Sequence, residues 1–171
     1  MTRYWHRIVG GSLLLGFLLW VTINGAIAAC SDAPTPGVNW QRCLMDGVDL
    51  KSHDLKGANL REAFFTGADL SGADLKGVDA RRARFVGTNL ANANFENARL
   101  YEVDFTKASL AGANLSGADL RSAIFFRADL RAANLTGAQI GRTAFRNANL
   151  SGALWIDGKT VCAEGSIGQC G

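Results

Sequence analysis

The side chains able to do chemistry in this chain of 171 residues are few, and they suit binding better than turnover. There are two histidines, His6 and His53, and four cysteines, Cys30, Cys43, Cys162 and Cys170. No G-x-S-x-G run and no C-x-x-C pair occurs, and no histidine accompanies the cysteines, so neither an activated nucleophile nor a zinc centre has its parts in place. Carboxylates recur, as at Asp69 and Asp74, but a carboxylate with a catalytic pKa needs a cleft. What remains is a set of arginines: Arg61, Arg81, Arg82, Arg99, Arg121 and Arg142, with Tyr101 among them and Phe64 and Phe126 close by in sequence. Guanidinium groups beside exposed aromatics are equipment for holding an acidic protein, an anionic glycan or a lipid head group. The acids Glu62, Asp79, Glu102 and Asp119 interleave with them, as they do on an ordinary solvated face.

Whether those side chains meet depends on the backbone that carries them, and residues 45–155 carry a single repeat. From Leu50 to Leu150 every fifth residue is Leu or Phe at 19 of 21 positions, the departures being Ala80 and Ile140. Two residues earlier stands Ala at 15 of the 21, and the residue between is Asp or Asn at 14, so the unit is A-(D/N)-L-x-x. A five-residue period matches neither the helical 3.6 nor the strand period of 2. If each unit is instead one side of a wide coil, its Leu or Phe and its Ala both point to the axis and three positions face water. Phe65, Phe85, Phe105, Phe125 and Phe145 fall twenty apart, with Phe95 the one other Phe in that register. Four units per turn would stack like on like at the parallel-strand spacing of about 4.8 Å.

The unit, exemplified by Ala68-Asp69-Leu70-Ser71-Gly72, resembles that of the pentapeptide-repeat family. The resemblance covers roughly two thirds of the chain and implies an all-β fold, a right-handed quadrilateral parallel β-helix; 21 units at four to a turn give it about five coils with a filled interior. It implies no function, because members serve many roles.

The remaining segments look like apparatus for export and for closing the ends. Residues 1–28 have the form of a signal peptide, expected as a signal helix: Arg3, His6 and Arg7 form a basic start, Ile8 to Ile23 is mostly apolar, and Ala26-Ile27-Ala28 is a small-residue cleavage pattern. An uncleaved membrane anchor is the competing reading of that stretch. Ile27-Ala28-Ala29-Cys30 also resembles a lipobox, which would make Cys30 the acylated residue of a lipoprotein. Residues 29–44 form a lead-in with Pro34 and Pro36, where Trp40 and Met45 could cover the open first turn, and 156–171 form a C-terminal cap. The cysteines fall two before the clean repeat and two after it, which suits one disulfide at each end, Cys30 with Cys43 and Cys162 with Cys170, in an oxidising compartment.

Sorted by side, Leu50 has a mild wall and Leu55 one of Asp and Asn, while Leu60 has the arginines and Tyr101. The Phe side puts Phe64, Val86, Ile124 and Phe126 outward. His53 takes an inward Ala position, where a histidine in a wider first coil is expected in preference to a catalytic imidazole. Some members of the resembled family are acidic rods that imitate duplex DNA and bind topoisomerases. Removing residues 1–28 takes away two arginines and no acids, leaving 16 basic against 15 acidic side chains; a net charge near +1 cannot mimic a polyanion, and a face with interleaved acids is unsuited to nucleic acid. The expectation is an exported, non-catalytic scaffold or protein-interaction module in the periplasm or an equivalent lumen, with no cofactor and no nucleic acid, whose partner is an unknown protein or anionic ligand. Membrane anchoring through Cys30 or an uncleaved signal stands as the alternative.

Overall fold

The computed structural model describes residues 30–171, so the expected signal peptide lies outside the described residues. Each five-residue unit makes one side of a coil and one corner. At the corner the NH of the inward Ala bonds back to the preceding inward Leu, as from Ala73 to the Leu70 carbonyl at 3.0 Å. The third residue of that turn has a positive φ, 66° at Gly72. This is type II turn geometry, which favours Gly at that place. Where Gly is absent the same geometry is imposed on residues such as Arg142, at φ 63°. The Asp or Asn before each inward Leu completes the corner by accepting from the NH two residues on, as Asp69 Oδ1 does from Ser71 at 2.9 Å. The side chain thus satisfies a donor that the ladder does not use.

Coils join through parallel bridges separated by twenty residues, from Asn39–Asn59 to Asn134–Leu154. They form four walls. The first runs Asn39, Asn59, Asp79, Arg99, Asp119, Gln139; the second starts at Leu44, the third at Asp49 and the fourth at Asp54. The register therefore reaches back to Asn39, within the lead-in, because Val38, Trp40, Cys43 and Met45 take inward positions there and are buried.

Inward Leu, Phe and Ala fill the axis, and nearly all are fully buried. Phe65, Phe85, Phe105, Phe125 and Phe145 stack in order with ring centroids 5.0, 5.4, 5.0 and 5.2 Å apart. Phe95 meets Phe85 and Phe105 edge-on at 6.1 and 6.0 Å. Thr88 replaces an Ala without an orphaned hydroxyl, its Oγ1 donating to the Phe65 carbonyl at 2.6 Å.

The ends differ. At the start the Trp40 indole donates to the Asp32 carbonyl at 3.2 Å, and Cys30 is bonded to Cys43. At the finish Trp155 packs on Phe145, and Asp157 accepts from Lys159 NH and Thr160 NH at 2.9 and 2.8 Å to turn the chain. The chain then runs back antiparallel over Leu154 and Asn149 through Val161 and Ile167, tied by Cys162–Cys170. Pairing of this kind protects an open solenoid end.

Candidate binding wall

The twenty-residue coil brings Arg61, Arg81, Tyr101 and Arg121 into one outer column beside the first wall, and Arg42, Glu62, Arg82, Glu102, Ser122 and Arg142 into the next. Most of this charge is neutralised internally. Asp79 binds Arg81 through two bonds, 2.8 and 2.6 Å, and Asp119 binds Arg121 through two at 2.7 Å. In the neighbouring column Arg42 meets Glu62 at 2.9 Å and Arg82 meets Glu102 at 2.7 Å, each across one coil. That alternation ends at Ser122, which stands where the next arginine would fall, and Arg142 then takes the place of an acid. Among the described residues Arg61 and Arg142 have no ion pair, and Arg99 reaches only 3.9 Å from Asp79. Three guanidiniums therefore remain available, each about two coils from the next.

Two shallow grooves lie along this column. One, of about 480 Å³, is lined by Arg81, Arg99, Tyr101, Asp119, Arg121 and Arg142. It opens above Arg121, where Gly141 carries no side chain. The other, about 180 Å³, is lined by Arg61, Glu62, Arg81, Arg82 and Tyr101. Tyr101 is shared by both, with the Arg121 guanidinium 5.9 Å from its ring centroid.

The acids here hold their protons weakly. Burial raises the Asp79 carboxyl, but its bonds to Arg81 outweigh that and leave it below the usual range. The Asp119 carboxyl is lowered by its bond to Arg121, and Glu102 by Arg82 and then by Tyr101. Arg81 and Arg121 are correspondingly raised by their aspartates. What the wall offers is fixed positive charge and planar donor forks, which match carboxylate, sulfate or phosphate oxygens.

Phe64 and Phe126 stand outside both grooves. Arg84 lies 5.8 Å from the Phe64 ring centroid, and Arg127 and Arg146 lie 5.1 and 5.6 Å from that of Phe126. Arginines thus cover the aromatics that sequence alone suggested were bare. Reading each column at twenty-residue steps would have found Arg146 above Phe126. His53 is half-buried, with Nδ1 3.1 Å from the Lys51 carbonyl oxygen of its own turn. No group of histidine, cysteine or acid side chains able to hold a metal occurs among the described residues.

The four-walled coil and its filled axis define a class, the β-solenoid built on a five-residue unit. The family model described as "pentapeptide repeat region" matches residues 58–135 and 78–155, and the chain belongs to the pentapeptide-repeat family, whose fold is a right-handed β-helix. Proteins of this family are typically structural or interaction modules. A pentapeptide repeat protein of the Arabidopsis thaliana thylakoid lumen is 21% identical over 72% of this chain and 83% of its own, with a TM-score of 0.41. HetL of the cyanobacterium Nostoc sp. strain PCC 7120, a pentapeptide repeat protein involved in heterocyst differentiation regulation, is 36% identical over 72% of this chain, which spans 51% of HetL; the TM-score is 0.26. QnrB1, a plasmid-mediated fluoroquinolone resistance protein, is 22% identical over 68% of this chain and 58% of its own, with a TM-score of 0.43. No curated protein matches the chain.

Proposed function

We propose that the protein is an exported, non-catalytic scaffold whose first wall and adjoining corner bind an anionic partner through Arg61, Arg99 and Arg142. The observation that carries this is the pairing pattern: Arg81 and Arg121 are saturated by two-bond contacts to carboxylates of their own turns, while Arg61 and Arg142 have no ion pair among the described residues and Arg99 only a long one of 3.9 Å. Changing all three to Ser should abolish capture of partners from the exported fraction, whereas removing the internal pairs whole, Asp79→Ser with Arg81→Ser and Asp119→Ser with Arg121→Ser, should leave capture within about twofold, since each pair adds no net charge to the wall. Equal loss in both variants would overturn the assignment.

Export is supported by the two disulfides, which persist in oxidising compartments. The Cys30–Cys43 bond also favours a free exported form over lipid anchoring, because a thioether to lipid would need the same sulfur. Mass spectrometry of the mature protein without reduction should find an N-terminus at Ala29 and two disulfides. A diacylated Cys30 would show the anchored form instead. Loss of residues 1–28 removes Arg3 and Arg7 and no acid, leaving 16 basic against 15 acidic side chains, and a net charge near +1 counts against imitation of DNA.

A further inference from the structure

The last coil is closed over only half its perimeter. Within the solenoid, NH groups of inward and corner residues bond to carbonyls of the coil above: Leu120 to Gln139, Ser122 to Gly141, Phe125 to Ala144 and Arg127 to Arg146. On the third and fourth walls the cap replaces the missing coil, supplying the Ser166, Cys162 and Thr160 carbonyls to the NH groups of Leu150, Gly152 and Trp155. On the first wall no cap carbonyl replaces it, and on the second the cap only passes the far corner, where Gly168 donates to the Ala148 carbonyl and lies against Asn147 N. Among the described residues the NH groups of Ile140, Arg142, Phe145 and Asn147 have no acceptor. Ile140 and Phe145 are half-buried, while Leu120 and Phe125 one coil below are sealed. An unprotected edge with a row of donors and apolar side chains is a template for strand addition. Its charge is one-sided, since Arg142 and Arg146 lie at this edge and the chain carries no acid between Asp129 and Asp157. A second copy presenting the same edge would bring those arginines against their equals.

We propose that this half-open edge docks an acidic segment of a partner protein as an added half-coil that bends with the corner between the two walls, its carbonyls accepting from the NH groups of Ile140, Arg142 and Phe145 while its carboxylates meet Arg142 and Arg146. Arg142 is shared with the grooves, while Arg61 and Arg99 belong to the grooves alone and Arg146 to the edge alone, so substitutions at those three residues make either site fail by itself.

The test is fluorescence anisotropy of the full exported chain with a short labelled peptide of alternating Asp and Val. Controls are the same peptide N-methylated at alternate amides and a Lys/Val peptide. The Asp/Val peptide should bind and slow hydrogen exchange at the Ile140 and Phe145 amides, and neither control should do so. Arg146→Glu should weaken binding by about tenfold or more, as loss and reversal of a contact charge does. Arg61→Ser with Arg99→Ser should leave it unchanged. Equal binding of the N-methylated peptide, or binding without protection of those amides, would overturn the proposal. So would sedimentation showing a dimer in which the amides are already protected without peptide.

Discussion

Two columns run along the same solenoid and show what a coil of twenty does with like neighbours. Inside, five Phe rings stack at 5.0 to 5.4 Å, and likeness is favourable because apolar faces attract at that spacing. Outside, arginines at the same interval would repel, so acids alternate with them: Arg42 with Glu62, Arg82 with Glu102. The inner column is repetitive because repetition stabilises it. The outer columns depart from repetition at Glu62 and Glu102, while Arg61 and Arg81 remain neighbours with Asp79 supplying charge from the wall, and the least matched members of three adjoining columns, Arg61, Arg99 and Arg142, are the candidates for function.

The largest expected effect is inside. Phe105→Ala should cost about 3–5 kcal/mol of unfolding free energy, read from denaturant midpoints, because a fully buried ring in contact with Phe85, Phe95 and Phe125 leaves a cavity that coils above and below cannot collapse into. A cost under about 1 kcal/mol would place that ring outside the packed column. Next is the cap: replacing Cys162 and Cys170 by Ser should cost about 2–3 kcal/mol on loop-entropy grounds, since the bond closes a separation of only 8 residues. Hydrogen exchange should rise at Leu150 and Gly152, whose NH groups the cap satisfies, ahead of Leu120.

Smaller still is Asn114→Ala on the fourth wall. This removes the Ser116 NH contact and the amide bond to Asn94, for about 1 kcal/mol. By contrast Arg99→Ser on the first wall should change stability by less than about 0.5 kcal/mol while reducing partner capture. If Arg99→Ser destabilised as much as Asn114→Ala, the contrast between a saturated and an available wall would fail. The smallest effect is acid sensitivity. Asp79 and Asp119 have carboxyls held below the ordinary 3.8, so their contribution is fully present above that value and is lost as pH falls through the depressed folded values. Urea midpoints should drop below pH 3.8, and Asp119→Asn should make that drop shallower.

Much of this was legible because five-step and twenty-step periods survive in the residues themselves: the inward Leu, Phe and Ala, the Phe column, the four walls and the grouping of cysteines at the two ends. The start at Asn39 was hidden because Trp40, Cys43 and Met45 take places that the motif gives to Leu and Ala. The pairing of Arg81 and Arg121 was hidden as well, since it depends on an aspartate two residues earlier curling into the same turn, where arginines alone look like an open ladder. The half-open last coil could not be read at all, because residues 156–171 have left the repeat and no period says which walls they cover.

Every column described above depends on residues twenty apart being vertical neighbours. Nuclear Overhauser contacts between selectively labelled phenylalanine rings test this directly. The account predicts an unbroken chain of ring contacts from Phe65 through Phe85, Phe105 and Phe125 to Phe145, with Phe95 touching both Phe85 and Phe105. Absence of the Phe85–Phe105 or Phe105–Phe125 contact in the folded protein would contradict it.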